Sequence, residues 1–240
     1  MRFIKRYFKG WNWFEITFLI GSITIPLIIG IIFKSSGLEI ATTVFTLLVS
    51  LFFAKAKIEG YFLSFVSLPL YILVSLQAKF YGEVIICAVI LFPVAIYGTA
   101  NWLRNKLTDK KKGQVIRVSH TSWRELTLVI LSQSIMFVGY FFLLKAFNTA
   151  YLIVSTISVT TSVIAAYLVA RRSQLGLLGY VFNDIVVIIL WALVVASGST
   201  NSIVILVMPC MYLINDIYGT FAWLKLRKRQ TTQVSDTGNL

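Results

Sequence analysis

The chain has 240 residues, of which 58% are hydrophobic and 13% are charged, with a formal net charge of +13. Soluble globular domains carry about 25% charged residues, so this composition excludes them and predicts a membrane protein. A lone histidine, His120, and two unpaired cysteines in apolar stretches, Cys87 and Cys210, argue against a metal site and against histidine-dependent catalysis. We therefore expect no catalytic residues, no metal and no cofactor.

Eight windows of the sequence are predicted to span a bilayer. A helix that crosses about 30 Å of hydrocarbon needs roughly 17 to 25 mostly apolar residues. The windows, in chain order, are Phe14–Phe33, Leu38–Ala54, Ile58–Gln77, Gly82–Leu103, Glu125–Leu144, Ala150–Ala170, Gln174–Ala196 and Asn201–Leu224. The chain is predicted to be an all-α integral membrane protein with the first window retained as a helix rather than cleaved as a signal peptide.

The positive charge follows the predicted topology. With eight spans, the termini and the even-numbered connections share one side of the membrane, and this side carries 19 of the Lys and Arg residues against 3 on the other. The positive-inside rule places both termini in the cytoplasm of a bacterial cell membrane. The densest run, Lys110–Lys112, is interpreted as contacting anionic lipid, and no nucleic-acid partner is expected.

One signature occurs twice in the chain. Residues 96–103 read IYGTANWL and residues 217–224 read IYGTFAWL, an offset of 121. Earlier elements match as well: WFEIT at Trp13 with WREL at Trp123, and Ala54-Lys55 with Ala170-Arg171. Each unit therefore contains four helices, and an even number predicts two parallel repeats related by an axis along the membrane normal.

The glutamates, glycines and tryptophans of the repeated elements are expected to have structural roles. Glu15 and Glu125 are expected to favour the starts of their helices. The glycines beside Tyr97 and Tyr218 would allow close helix packing. Four tryptophans are interpreted as anchors at the membrane interface. They are Trp13, Trp102, Trp123 and Trp223.

Two acidic residues stand out because they lie deep within predicted spans rather than at the ends. Asp184 follows Asn183 in the seventh span, and Asp216 follows Asn215 in the eighth. An ionisable side chain at membrane depth needs a partner or a water-filled cavity, so we expect a polar cluster facing a central cavity. The alternative is that each aspartate hydrogen-bonds within the bundle. The matching positions of the first half have no acids, which favours an asymmetric organic solute over a symmetric ion site.

The chain resembles the bacterial Pnu-type transporters, whose best-known members take up nicotinamide riboside. The resemblance rests on Gly60-Tyr61-Phe62, Phe80-Tyr81 and the closing IYGTANW, and on their repetition up to IYGTFAW. It implies a SWEET-like build of two three-helix bundles joined by a linking helix, plus an extra amino-terminal helix. It also implies facilitated diffusion of a vitamin or nucleoside, trapped by phosphorylation by a cytoplasmic kinase.

The resemblance and the buried polar residues together define a predicted substrate site. By resemblance, Asn183 falls on a family asparagine, and Tyr97 and Tyr218 fall on family Tyr-Gly or Asn-Gly elements. Gly176 and Gly179 stand where nicotinamide riboside transporters have tryptophans, which leaves deoxynucleosides, thiamine and riboflavin as alternative substrates. The predicted substrate-binding residues are Tyr97, Asn101, Tyr180, Asn183, Asp184, Trp191, Tyr212, Asn215, Asp216 and Tyr218.

The predicted organisation is a first membrane repeat over residues 1–104, a basic loop over 105–124, a second repeat over 125–225 and a tail over 226–240. The predicted partners are the solute, the bilayer and the kinase, and a homo-oligomer is an open alternative. Proton-coupled transport through Asp184 or Asp216 is a second functional hypothesis. A membrane-embedded enzyme is a third, and it lacks a nucleophile and base pair; no GxxxxGK[ST] run indicates ATP hydrolysis. A non-transporting assembly partner is a fourth.

Overall fold

The computed structural model of the protein describes residues 10–77, 81–109, 113–198 and 203–237. Within these residues, eight helical segments are long and apolar enough to cross a bilayer, which confirms the predicted all-α membrane fold. The helices are α1 (Trp13–Ile32), α2 (Gly37–Ala54), α3 (Glu59–Gln77), α4 (Tyr81–Ile86), α5 (Phe92–Arg104), α6 (Trp123–Ala146), α7 (Leu152–Ala170), α8 (Gly176–Ala196) and α9 (Ile203–Thr237).

Parts of the predicted topology lie outside the described residues. These are the amino-terminal basic residues, Lys79 and Phe80, the run Lys110–Lys112, and Asn201, where the eighth window was predicted to begin.

The fourth span is made of two α-helices joined by a π-helical turn. Helix α4 continues through Cys87–Leu91 into α5, and the Phe92 N–H donates to the Cys87 carbonyl five residues earlier. Pro93 stands in the first turn of α5 and has no N–H to donate. A wide turn before a proline keeps the helix continuous while it changes direction.

Capping residues set the starts of three spans. The Asn12 and Ser36 side chains accept from the backbone N–H groups of Glu15 and Glu39, whose carboxylates accept in return from the cap N–H groups. Ser122 caps α6 by accepting from the Glu125 N–H. These contacts satisfy N–H groups that would otherwise be unpaired at the helix ends, as the predicted acidic first turns suggested.

The helices pack in the same pattern in both halves of the chain. In the first half α3 contacts α2 and α5, and α1 packs on α2; in the second half α8 contacts α7 and α9, and α6 packs on α7. The halves meet through α9 against α2 and α5 against α7. This pattern agrees with two three-helix bundles, each preceded by one helix; the symmetry axis between them stays a prediction.

A hairpin absent from the sequence predictions closes one end of the bundle. Strands β1 (Lys106–Asp109) and β2 (Gly113–Ile116) pair antiparallel within the loop that joins the two halves. The Ile116 N–H donates to the Ala56 carbonyl over 3.0 Å, and Gln230 donates to the Ile116 carbonyl over 2.9 Å. Helix α9 reaches Gln230 because it continues to Thr237, well past the predicted end of the eighth span at Leu224.

The glycines of the repeated signature lie where helices approach closely. A Cβ on Gly219 would lie 2.6 Å from the Leu177 Cδ1 and 3.1 Å from the Ala54 Cα, and one on Gly98 would overlap the buried Tyr61 ring. In contrast, a Cβ on Gly139 of α6 would meet nothing within 4 Å. Close packing is therefore the role of the repeated glycines, as predicted.

We expect Gly219→Ala to lower the thermal unfolding midpoint of the detergent-purified protein, because its methyl group meets backbone and costs about 1–3 kcal/mol. The matched control Gly139→Ala adds the same methyl group in open space and should leave the midpoint unchanged or raise it. Equal midpoints for the two variants would contradict the close approach of α9 to α2.

Candidate functional site

A central cavity lies between the two bundles. Helices α2, α3, α5, α7, α8 and α9 all contribute to its wall. Binding sites for small organic molecules are typically concave and mostly apolar with a few polar groups, and this cavity has that character. Five of the predicted site residues line this cavity. They are Tyr180, Asn183, Asp184, Tyr212 and Asp216.

Two further cavities extend the first one towards one end of the bundle. The second shares Asn183, Asp184 and Tyr212 with the first and includes the predicted Trp191. The third shares Trp191 with the second and reaches Glu39, at the start of α2. Through these shared residues the three cavities follow one another from the middle of the bundle towards the end opposite Lys55, Arg104 and Arg171, which mark the basic end. We refer to the three together as the solute path.

The Asn183-Asp184 pair lies on the cavity wall in α8. The Thr161 hydroxyl donates to the Asn183 Oδ1 over 2.9 Å, which orients the amide and leaves its nitrogen as a donor available to a solute. Asp184 is only 2% exposed, and its Oδ2 has no hydrogen-bond partner among the described residues. A buried carboxylate oxygen without a donor is costly, so this position favours binding of a donor or a cation.

The Asn215-Asp216 pair divides into a lining residue and a supporting one. Asp216 lines the first cavity and accepts a hydrogen bond from the Ser50 hydroxyl of α2 over 3.1 Å. Asn215 is fully buried outside the cavity lining and donates to the Ser50 Oγ over 2.6 Å and to the Asp216 Oδ1 over 3.2 Å. Asn215 therefore positions the carboxylate and the hydroxyl rather than contacting the cavity.

The basic end of the path is sealed by the repeated tryptophans. Trp102 and Trp223 are both fully buried, with ring centroids 5.8 Å apart. The Trp102 indole N–H donates to the Val169 carbonyl and the Trp223 indole N–H to the Phe53 carbonyl, each over 2.9 Å. The interpretation of these two residues as interfacial anchors was wrong, since their rings join the two bundles. Trp13 and Trp123, in contrast, are at least 80% exposed, as anchors would be.

Tyr218 belongs to a buried ion-pair cluster at the basic end. Its hydroxyl donates to the Glu15 Oε1 over 2.9 Å and accepts from the Asn12 Nδ2 over 2.6 Å. The other carboxylate oxygen of Glu15 pairs with Lys55, and both side chains are almost completely buried. The cluster thus links α1, α2 and α9, and it lies outside the cavity linings.

Tyr97 and Arg171 form the matching cluster of the other half. The Arg171 guanidinium contacts the Glu125 carboxylate over 2.8 and 2.9 Å, and it is more exposed than Lys55. The hydrogen bond that Arg171 donates to the Glu125 carboxylate raises the pKa of Arg171, with a smaller contribution from a hydrogen bond with Tyr97. Tyr97 is 45% exposed and, like Tyr218, outside the cavity linings.

Asn101 also supports the seal rather than the cavity. Its Nδ2 donates to the Ala170 carbonyl over 2.8 Å, which ties the end of α5 to the end of α7. Four predicted site residues are therefore placed away from the described cavity walls. They are Tyr97, Asn101, Asn215 and Tyr218.

A stripe of hydroxyl groups on the cavity walls was missed in the sequence. Thr42, Thr46 and Ser50 recur every four residues along α2 and line the path. Thr42 and Thr46 match Ser158 and Ser162 of α7 at the offset of 116, and these serines line the second cavity. This helical spacing within both repeats is the signal that could have identified them.

Comparison with known proteins identifies the family. The sequence model of the nicotinamide mononucleotide transporter family matches residues 36–225, which is most of the chain. The chain belongs to this family. It is a multi-pass membrane transporter of a vitamin-like solute and not an enzyme.

Relatives and a solved structure agree with this membership. The chain is 27% identical over 230 residues to the nicotinamide riboside transporter PnuC of Neisseria mucosa, covering 95% of this chain and 88% of the relative. It is 25% identical to PnuC of Haemophilus influenzae, covering 95% and 97%. The crystal structure of a vitamin B3 transporter PnuC superposes with a TM-score of 0.82 at 26% identity, covering 93% of this chain and 98% of that one.

We expect Tyr218→Phe in this family member to lower the thermal midpoint without changing solute affinity. The variant removes the hydroxyl that donates to the buried Glu15, and a hydrogen bond to a charged group contributes about 1.5–3 kcal/mol. The matched variant Tyr212→Phe removes a hydroxyl from the cavity wall and should weaken solute binding. Calorimetric titration of both proteins gives the affinities, and a weaker affinity for Tyr218→Phe alone would contradict this division of roles.

Proposed function

We propose that this transporter carries a small vitamin or nucleoside resembling nicotinamide riboside into the cell by facilitated diffusion. The observation that supports the proposal best is the central cavity, which presents an amide, two carboxylates and tyrosines midway along the bundle. Its relatives named above are nicotinamide riboside transporters. Deoxynucleosides, thiamine and riboflavin remain the alternative substrates.

The proposed mechanism is a rocking of the two bundles about the central cavity. Each bundle contributes three helices to the cavity wall, and Trp102 and Trp223 join the two bundles at the basic end. Separation of this seal, with closure of the opposite end, would expose the same site to the other side of the membrane. Because both termini are proposed to be cytoplasmic, the seal faces the cytoplasm and the path faces outward.

Trapping supplies the direction of transport in this proposal. A carrier without an energy source equalises the solute concentration on the two sides of the membrane. Phosphorylation by a cytoplasmic kinase would then retain the product, because a phosphorylated solute adds about two negative charges that the acidic cavity disfavours. The kinase is thus a functional partner through the shared solute.

Transport by purified protein in liposomes tests the proposal. We expect saturable entry of labelled nicotinamide riboside that stops at equal concentrations, and accumulation beyond this level when a nicotinamide riboside kinase and ATP are enclosed. Asn183→Ala should raise the KM about tenfold, since it removes a directed donor. The control Ser134→Ala, on an exposed face of α6, should leave the KM unchanged. Uphill accumulation without kinase would contradict facilitated diffusion.

Proton-coupled transport is the second candidate function, favoured by the presence of both Asp184 and Asp216 on the wall of one cavity. A carboxylate that binds a proton in one orientation and releases it in the other would couple the two movements. In this case, entry of solute into liposomes should accelerate under an imposed pH gradient and lose this acceleration with an uncoupler. Rates that are independent of the gradient would exclude this candidate.

A further inference from the structure

The electrostatic character of the solute path is acidic along its whole length. Asp216 lies on the wall of the first cavity, Asp184 on the walls of the first and second, and Glu39 on the wall of the third. Among the described residues that line these three cavities, none is a lysine, an arginine or a histidine. The path therefore carries negative groups without a positive side chain in its walls.

The basic residues Lys55 and Arg171, at the basic end of the bundle, form ion pairs with glutamates outside the cavity. Lys55 is paired with Glu15, and Arg171 is paired with Glu125, both in the clusters at the basic end. Within each pair the two charges neutralise each other. Neither cluster therefore provides a basic partner for the aspartates of the cavity. Because no described residue brings a basic side chain to the cavity wall, a cationic solute would supply a positive charge beside these aspartates.

Asp184 provides an independent indication of a ligand. Its side chain lines the cavity, yet the residue is only 2% exposed. Its Oδ2 has no hydrogen-bond partner among the described residues. In contrast, Asp216 is held by the Ser50 and Asn215 side chains. A buried carboxylate is stabilised when a cation or a strong donor approaches its free oxygen.

Aromatic rings complete the surroundings of the two carboxylates. Tyr61, Tyr180 and Tyr212 line the same cavity. The face of a tyrosine ring attracts a cation, most strongly where water is excluded. Carboxylates and ring faces together suit a flat organic cation better than a neutral ring or a small hydrated metal ion.

We propose that Asp184 and Asp216 select solutes with a fixed positive charge on a heteroaromatic ring, such as nicotinamide riboside or thiamine, over neutral nucleosides and flavins. The inference rests on the proposed function and narrows it to one class of substrate. Asp184 contacts the charged ring through its free oxygen. Asp216, held by Ser50 and Asn215, adds to the negative potential of the same cavity.

The test compares nicotinamide riboside with its 1,4-dihydro form, which keeps the ribose and the carboxamide but is neutral. Calorimetry on the purified full-length protein in lipid nanodiscs should give at least about tenfold tighter binding of the cation. Asp184→Asn keeps the shape and removes the charge, so we expect the preference to fall below about threefold while the affinity for the neutral form is retained.

Two further variants keep the test decisive. Glu59→Gln removes one negative charge at the start of α3, outside the cavity linings, and should leave the preference for the cation unchanged. Asp216→Asn should also reduce the preference, and it replaces Asp184→Asn if the thermal midpoint shows that the latter does not fold. Unchanged preference in a folded aspartate variant would overturn the selection by these residues.

The outcomes also separate this inference from the proposed function. Equal or tighter binding of the neutral form, or of deoxynucleosides or riboflavin, by the unmodified protein would overturn the charge selection and leave transport standing. Failure of every compound, thiamine included, to bind or to enter liposomes would contradict the proposed function itself, and the charge selection with it.

Discussion

The contact that Trp102 and Trp223 make with the carboxyl-terminal ends of helices in the opposite bundle is the constraint on which the rest of the structure depends. The last carbonyl groups of a helix have no partner within it, and inside a membrane each unsatisfied group costs several kcal/mol. Here Trp102 and Trp223 donate indole N–H groups to carbonyls of the last helical turn, those of Val169 and Phe53 in the opposite bundle. The same two carbonyls also accept from the backbone N–H groups of Arg172 and Ala56. The acceptor residues Phe53 and Val169 line the cavity, so the two tryptophans fix the helix ends of one bundle against the other directly beside it. We propose that this contact closes the path at the basic end.

The duplicated and the unduplicated residues of the chain have different roles. Signature tryptophans, signature tyrosines and ion pairs occur once per half, and they lie at the basic end where the bundles meet. Asp184 and Asp216 have no acidic counterpart at the matching positions of the first half, and both lie at the cavity. A scaffold with equivalent contacts in both halves suits a motion in which the bundles rock, while the unpaired acids give the site the asymmetry that an organic solute requires.

The sequence predicted the spans because twenty-residue apolar windows depend only on local composition, which the bilayer selects directly. It also predicted that Asp184 and Asp216 meet at a cavity, since an acid at membrane depth has few alternatives. It misplaced Trp102, because an amphipathic ring at a helix end suits both a lipid interface and a helix contact. Only the packing of α5 on α7 shows that the Trp102 ring lies at a helix contact rather than at the lipid interface.

The role of the signature tyrosines and the presence of the hairpin could not be predicted from the sequence, because both depend on contacts that local patterns do not reveal. Tyr218 meets Glu15 over 203 positions of sequence, a pairing that no local pattern indicates. The hairpin of β1 and β2 lies in a polar loop whose strands are only four residues each, too short for a period-two pattern. The hydroxyl stripe of α2 could have been predicted from its helical spacing. Its match in α7 would have emerged from a position-by-position comparison of the two repeats.

Side-specific labelling of the cavity tests most directly whether the tryptophan contact closes the path. Ser67, on the walls of the first and second cavities, is replaced by cysteine in a protein whose Cys87 and Cys210 are changed to alanine. We predict that a membrane-impermeant maleimide labels this cysteine from the side opposite the basic end only, and that adding Trp102→Ala allows labelling from the basic end. Labelling from the basic end while both tryptophans are intact would contradict the seal.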